Sequence, residues 1–144
     1  MQKRFYIPII LFVISLILLT SNPIKDKLIL DITYNQLTKE TQKQVDCLAE
    51  NIYFEAGYEP REGKEAVALV TLNRLQDPRF PKDICGVVKQ KTNSTCQFTW
   101  FCQNVGRPSN NIVYEQAKEV AVYVYANYRS EEHTSELQSR LHLV

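Results

Sequence analysis

A helical pattern that stops at Gly57 constrains the fold more than any other feature of the sequence. Between Lys39 and Ala56 apolar residues recur every three or four positions, as on one face of a helix. Gly57 is a natural stop for that helix, and Pro60 suits the first position of a second one. The short turn between them predicts an antiparallel pair of helices.

The rest of the central region predicts a mainly helical, α+β domain with a short β segment. Pro81 is expected to open a third helix, and a final helix is expected from Asn110 to Tyr128. Cys96, Phe98 and Trp100 alternate with polar residues, which predicts a strand. The second helix is expected to pack on the first through four apolar residues. These are Ala66, Val67, Leu69 and Val70.

The N-terminus has the pattern of an export signal. Lys3 and Arg4 precede an uncharged run from Phe5 to Leu19, and Pro23 closes the segment. The run fits a signal peptide and is slightly short for a membrane span. We therefore expect residues 1–23 to be a signal peptide or a signal anchor helix in the membrane. The protein would then be periplasmic or otherwise extracytoplasmic.

Residues 24–41 have the composition of a polar linker that leads into the first helix. Asp31, Asn35 and Thr38 could each cap that helix, and the sequence does not choose among them. The domain itself is expected to cover residues 42–128. The formal net charge of +1 gives no electrostatic case for a nucleic-acid partner.

The C-terminal stretch, residues 129–144, breaks from the pattern of the preceding helix. Its eleven residues RSEEHTSELQS are identified as the in-frame translation of a widely used sequencing adapter. We therefore expect this tail to be non-native and leave it out of fold reasoning. His133 and His142 are the only two histidines, and both lie in the tail. The domain then offers no Ser–His or Cys–His dyad and no histidine-based zinc motif.

Four cysteines follow the export signal, namely Cys47, Cys85, Cys96 and Cys102. In an oxidising compartment an even number suggests two disulfides, and three pairings are open. We favour Cys96 with Cys102, provided that the strand turns back, and Cys47 with Cys85, which would tie the first helix to the third. A four-cysteine zinc site would need tighter paired spacing. A nucleophilic cysteine would lack a neighbouring histidine. We therefore expect no metal.

A longer pattern runs through the central region in several ordered blocks. They are N-x3-E-A-x2-E-x3-G-x2-A-V-x2-V-x2-N-R from Asn51 to Arg74, RFP at Arg79–Pro81, CGVV at Cys85–Val88 and CQFTW at Cys96–Trp100. The region from about Cys47 to Tyr128 resembles the SleB/CwlJ-type cell wall hydrolases. Two departures stand out. Gly57 and Tyr58 replace a common Arg-Gly pair, and a C-terminal segment with a G-A-T-H-Y-H-like block does not follow.

The resemblance implies a lysozyme-like domain, similar to lytic transglycosylases, that cleaves the glycan strands of peptidoglycan without a cofactor. It also implies that Glu55 is the acid and base glutamate. Four further residues are candidates for substrate binding, each with a structural alternative. Glu59 could be a second carboxylate or could cap the second helix. The others are Asn73, which could shape the site, Gln97, which could bond N-acetyl groups or face solvent, and Trp100, which could stack on sugars or join the core.

Glu55 has a position that suits an acid catalyst. On a helical wheel it lies about 80° from the centre of the apolar stripe, whereas Glu50 lies on the opposite, wet side. Partial burial at the core boundary would disfavour the ionised carboxylate and keep the acid protonated near neutral pH. The alternative is a structural salt bridge from Glu55 to Arg61 or Arg74.

Two mechanisms are open for the cleavage of the glycan strand. A lytic transglycosylase works with one carboxyl group, whereas many glycosidases use two. A reading from a different class is a catalytically inactive wall-binding or structural domain, made so by truncation or by the divergence at Gly57 and Tyr58.

Overall fold

The computed structural model describes residues 33–93 and 95–141, with side chains described as far as residue 130. The predicted signal or anchor, residues 1–23, lies outside these residues, as does most of the predicted linker. In the two described ranges, no helix combines the length and the hydrophobicity that a membrane crossing requires. The described residues belong to one compact unit that begins at Thr33.

The described part of the chain is mainly helical and carries a small two-stranded sheet, which confirms the predicted class. The elements in chain order are α1 (Lys39–Ala56), α2 (Arg61–Gln76), α3 (Ile84–Val88), β1 (Lys91–Thr92), β2 (Thr95–Cys96), α4 (Thr99–Cys102) and α5 (Asn111–Leu141). The two strands are antiparallel, with Lys91 opposite Cys96 and Thr92 opposite Thr95.

Helix α1 begins because Thr38 caps it. The Thr38 side chain accepts a hydrogen bond from the backbone N–H of Thr41 at 3.2 Å. Asn35, another candidate, lies in a helical turn at 33–36 that precedes the cap. The helix ends at Gly57, where a side chain would meet the carbonyl oxygen of Tyr53 and the side chain of Val113. Glycine therefore allows α1 to end close against α5.

The predicted pair of helices α1 and α2 is confirmed, but the predicted packing face of α2 is wrong. Leu69 and Val70 are 45% and 48% exposed, and Ala66 is exposed as well. Apolar residues occur around much of α2, so periodicity alone could not select its inner face. The buried positions are Lys64, Ala68, Thr71 and Leu72. The buried Lys64 ammonium donates a hydrogen bond to the carbonyl oxygen of Glu59, which gives the cation a polar partner.

Helix α3 begins at Ile84 and not at Pro81 as predicted. The carboxylate of Asp83 accepts a hydrogen bond from the backbone N–H of Gly86 at 2.8 Å and so caps the helix. Val87 and Val88 of this helix are fully buried, and Ile84 is nearly so. The helix is held against α1 by the Cys47–Cys85 disulfide, with a Cα–Cα distance of 5.2 Å.

The predicted strand through Phe98 and Trp100 is wrong, because the chain leaves the strand after Cys96. Cys96 and Cys102 form the second disulfide, and their Cα atoms lie 5.8 Å apart. Six residues in an extended strand would span about 20 Å, so a strand cannot join the two ends of this disulfide. The chain instead folds into the helical turn α4, which contains Trp100.

Helix α5 packs along both α1 and α2 and closes the core. Its predicted apolar residues Ala117, Val120, Ala121 and Val124 are buried. The Tyr128 hydroxyl donates to the carbonyl oxygen of Leu72 at 3.2 Å and accepts from Gln76 Nε2 at 2.8 Å. The helix was expected to end at Tyr128 but continues to Leu141. Residues 129–141 contain no proline or glycine, so their backbone can continue the helix.

Removing the Cys47–Cys85 disulfide should destabilise the domain more than removing Cys96–Cys102. The paired residues are 38 apart in sequence in the first case and 6 apart in the second. The loop-closure entropy of the unfolded chain then predicts losses of about 4 and about 2 kcal/mol, respectively. Urea unfolding of the two double Cys→Ala variants measures both losses. Equal losses, or the reverse order, would contradict this expectation.

Candidate active site

Glu55 lies in the last turn of α1, and its side chain is exposed. The predicted burial at the core boundary is therefore wrong, and Glu50, expected in solvent, is half-buried. The buried face of α1 is wider than the apolar stripe, since it includes Cys47 and Asn51. Glu55 follows Asn51 by one turn on this face. The helix ends one residue later, so the elements that bury Asn51 do not cover the Glu55 carboxyl group.

Neither arginine proposed as a salt-bridge partner contacts Glu55. Arg61 pairs with Glu65 at 2.7 Å and with Glu119 at 3.3 Å. The Arg74 guanidinium lies over the rings of Phe80 and Phe98, 5.4 and 5.1 Å from their centroids. None of the ion pairs among the described residues includes Glu55.

The helix end is itself an unfavourable place for a negative charge. Backbone carbonyl groups at a helix C-terminus carry partial negative charge, and basic side chains usually offset it. The last turn of α1 contains no basic residue. The Glu55 carboxyl group thus lies exposed and without an ion pair among the described residues, at a helix end that has no basic side chain.

Asn51, one turn before Glu55, is completely buried and joins three helices. Its Nδ2 donates to Thr71 Oγ1 on α2 at 3.1 Å, and its Oδ1 accepts from Trp100 Nε1 on α4 at 2.9 Å. Thr71 Oγ1 in turn donates to the carbonyl oxygen of Val67 at 3.0 Å. A buried amide is costly unless it is hydrogen-bonded, and both functional atoms of this one have partners.

Trp100 and Phe54 form a stacked aromatic pair beside the same end of α1. Their ring centroids lie 4.5 Å apart with an interplanar angle of 23°. Phe54 also contacts Tyr53 edge-on, and Phe101 lies edge-on to Trp100. Both members of the stacked pair are half-buried. Because one helical turn rises about 5.4 Å, the side chains that hold Trp100 in place lie within about one turn of Glu55.

The other candidate residues are more dispersed. Glu59 is exposed in the turn before α2, with its Cβ against Gly63. Gln97 is half-buried in the disulfide loop, where its backbone N–H donates to the carbonyl oxygen of Gln90 at 2.9 Å. Asn73 is exposed on α2, about 160° around the helix from Thr71, which faces α1. The structure thus brings Trp100 towards Glu55 and leaves Asn73 on a different side of α2.

Tyr53, also on α1, helps to fix the start of α5. Its hydroxyl oxygen accepts hydrogen bonds from the backbone N–H groups of Asn110 at 3.2 Å and Ser109 at 3.3 Å. These bonds, chiefly the one from Asn110, lower the pKa of Tyr53 because they favour the phenolate. Asn110 Oδ1 accepts from the N–H of Val113 and so also caps α5.

Among the described residues no cluster of acidic, histidine or cysteine side chains could hold a metal ion, and each of Cys47, Cys85, Cys96 and Cys102 is in a disulfide. The roles of Asn51 and Phe54 were not assigned from the sequence. The available signal was a polar residue, Asn51, directly before the apolar Ile52 on the inner face of a helix. Such a residue suggests a buried side chain that is hydrogen-bonded to a neighbouring element.

These features define a small, disulfide-linked, mainly helical domain with an unpaired carboxyl group beside an aromatic pair. A family model described as Cell Wall Hydrolase matches residues 58–138, more than half of the chain. The chain belongs to the cell wall hydrolase family. This finding confirms the resemblance seen in the sequence. The matched residues include Glu59, Asn73, Gln97 and Trp100 and begin three positions after Glu55.

Curated relatives are similar to a short part of the chain. Over 48 residues, or 33% of the chain, it is 44% identical to the spore cortex-lytic enzyme of Bacillus subtilis (strain 168). Spore cortex-lytic enzymes of Halalkalibacterium halodurans and Oceanobacillus iheyensis are 42% and 44% identical over the same length. The aligned segments cover 16%, 14% and 17% of these relatives, in that order. No solved structure matches the chain.

Thr71→Val should destabilise the domain by about 1–3 kcal/mol, because it leaves the buried Nδ2 of Asn51 without an acceptor. Valine keeps the shape of threonine, so packing changes little. Thr99→Val is the matched control, since Thr99 is exposed, and we expect a loss below about 0.5 kcal/mol. Urea unfolding measures both values. A Thr71→Val loss no larger than that of the control would contradict the proposed burial cost.

Proposed function

We propose that this protein cleaves the glycan strands of peptidoglycan, with Glu55 acting first as the general acid and then as the general base. One observation carries the proposal. In a chain of the cell wall hydrolase family, the unpaired carboxyl group of Glu55 lies one helical turn from Asn51, which holds Trp100 in place. The names of the relatives, cortex-lytic enzymes, support a cell-wall substrate. The lysozyme-like arrangement of the complete site remains part of this proposal.

The reaction can be completed by one carboxyl group. Protonated Glu55 gives its proton to the bridging oxygen while the bond from that oxygen to the anomeric carbon breaks. The 6-hydroxyl of the sugar that contains this anomeric carbon then attacks that carbon, and the Glu55 carboxylate takes the hydroxyl proton. The products are a free hydroxyl on the leaving sugar and a 1,6-anhydro ring, and Glu55 is protonated again. This lytic transglycosylase route consumes no water.

Because Glu55 is exposed in the free protein, we propose that the bound substrate supplies the desolvation that keeps its carboxyl group protonated. A carboxyl group serves as an acid only while it is protonated, and desolvation favours that form. A bound glycan strand would cover Glu55 and exclude water from it. The C-terminal end of α1, which has no basic residue in its last turn, adds to the bias against negative charge. In this proposal the free site is open, and the acid is prepared when the strand binds.

A hydrolase with Glu59 as its second carboxylate is the other mechanistic version. Glu59 is exposed in the turn that directly follows α1, four residues after Glu55. It could activate a water molecule against the anomeric carbon, which would leave a reducing end. The two versions share the substrate and the acid, and they differ in the product.

The disulfides support an extracytoplasmic location. Cys47–Cys85 and Cys96–Cys102 need an oxidising compartment, such as the periplasm or the cell exterior, in which peptidoglycan is also found. The proposal therefore includes export through residues 1–23, either as a cleaved signal or as a membrane anchor.

Glu55→Gln should lower the rate of glycan cleavage at least about a hundredfold, because it removes the acid and keeps the shape of the side chain. The measurement is the release of soluble fragments from purified sacculi. Glu50→Gln, on the same helix, is the control and should cleave at the native rate. A Glu55→Gln protein that cleaves normally would exclude Glu55 as the acid. If the unaltered chain binds sacculi but does not cleave them, the alternative of a wall-binding domain holds.

The mass of the released fragments should separate the two mechanistic versions. We expect 1,6-anhydro ends, which are lighter than reducing ends by one water, and we expect Glu59→Gln to cleave at nearly the native rate. Mass spectrometry of the fragments and initial rates of the variant measure these outcomes. Reducing ends together with a Glu59→Gln loss as large as that of Glu55→Gln would instead establish hydrolysis with two carboxylates.

A further inference from the structure

Trp100 is held on several sides without being fully buried. Phe54 covers one face of its indole ring at a centroid distance of 4.5 Å, and Asn51 Oδ1 accepts its Nε1–H at 2.9 Å. The Cys96–Cys102 disulfide closes the loop that carries it. Trp100 is half-buried, so part of its surface stays in contact with solvent. Its open surface is therefore available to a ligand in a fixed orientation.

We propose that Trp100, backed on one face by Phe54, is a platform for one sugar ring of a β-1,4-linked N-acetylhexosamine strand, and that buried Asn51 is its positioning residue. This inference rests on the proposed function, since it places the platform in the subsite next to Glu55. It adds the aromatic ring that binds the strand and the residues that orient this ring.

The geometry favours a sugar over other ligands. A pyranose ring presents a flat face of C–H groups, which suits an aromatic surface, while its hydroxyl groups stay in water. The platform and Asn51 are uncharged, and the nearest acid on the same helix face is Glu55, so an anionic ligand gains nothing there. Asn51 and Glu55 are four residues apart on α1, which is a rise of about 6 Å along the helix axis. A strand on the platform would therefore pass close to the turn of α1 that carries Glu55.

Rigidity is the advantage of this construction. Ordering a mobile aromatic side chain on binding costs affinity, and a preorganised one avoids that cost. Asn51 is itself fixed by Thr71 on α2, so the indole orientation is tied to the helical pair rather than to the loop alone. The platform and Glu55 are consequently held by the same helix, which keeps their relative position constant.

The sole tryptophan of the chain makes the platform directly observable. We expect a saturable change in intrinsic fluorescence when the native protein is titrated with a soluble oligomer of β-1,4-linked N-acetylglucosamine. The same change should occur in Glu55→Gln, which keeps the platform. Binding by calorimetry without a fluorescence change would place the strand elsewhere and overturn the inference, as would the absence of binding by both methods.

Variants test which side chains carry the binding. Trp100→Leu should weaken the affinity for the oligomer about tenfold, from the loss of apolar surface covered by the sugar. Trp100→Phe keeps a ring but loses the bond to Asn51, so we expect about a threefold loss. Tyr123→Leu, a change at an exposed aromatic residue on α5, is the matched control and should bind normally. Native affinity in a folded Trp100→Leu protein would overturn the platform.

The positioning role is tested by Thr71→Val, which releases Asn51 without touching the rings. We expect about a threefold weaker affinity and Trp100 emission at longer wavelength in the free protein. Lower stability with unchanged affinity and emission would show that Asn51 is only structural. If Trp100→Leu does not fold, Trp100→Phe and the native titration decide. Cleavage by Glu55→Gln would refute the proposed acid and leave the sugar platform standing.

Discussion

Three segments that are far apart in the sequence meet at the buried amide of Asn51. It binds Thr71 of α2 and Trp100 of α4 from its place on α1, and each bond uses a different atom of the amide. In a dry interior such a group is stabilising only when all partners are in place. The register of α1 against α2 and the position of the loop that carries Trp100 are therefore fixed by the same buried group. Because Glu55 follows on the same helix face, this one residue also determines where the candidate acid lies.

The features that could be predicted from the sequence are those that depend on local chemistry. The Thr38 cap was one of three candidates, and Gly57 and Pro60 marked the turn between α1 and α2. The disulfide pairing was favoured because it is compatible with a loop that turns back. The predicted strand through Phe98 and Trp100 is wrong because a loop that turns back cannot continue as a strand. Alternation is a weak signal over five residues, and a covalent closure to within 5.8 Å overrides it.

The position of Glu55 shows why burial is harder to predict than secondary structure. Its angle on α1 placed it near the apolar stripe, and the helix does have a buried face at that angle. Exposure, however, depends on how far the covering elements reach along the axis, and a helical wheel contains no axial information. The same limit applies to α2, where Leu69 and Val70 are apolar but nearly half-exposed. Sequence periodicity identified the helices, and for α2 only the tertiary contacts selected the buried face.

An open carboxyl group at a helix end is consistent with a one-carboxylate mechanism. In two-carboxylate glycosidases the acid and its partner lie roughly 5 to 9 Å apart on opposite sides of the scissile bond, which calls for two separately supported elements. Glu55 and Glu59 instead belong to one helix end and the turn that follows it, so they are not held by two separate elements. A mechanism that returns the proton to the residue that gave it needs only one such element. The fixed element that such a mechanism requires is a surface that holds the sugar beside Glu55, which is the role we propose for Trp100 with the support of Asn51.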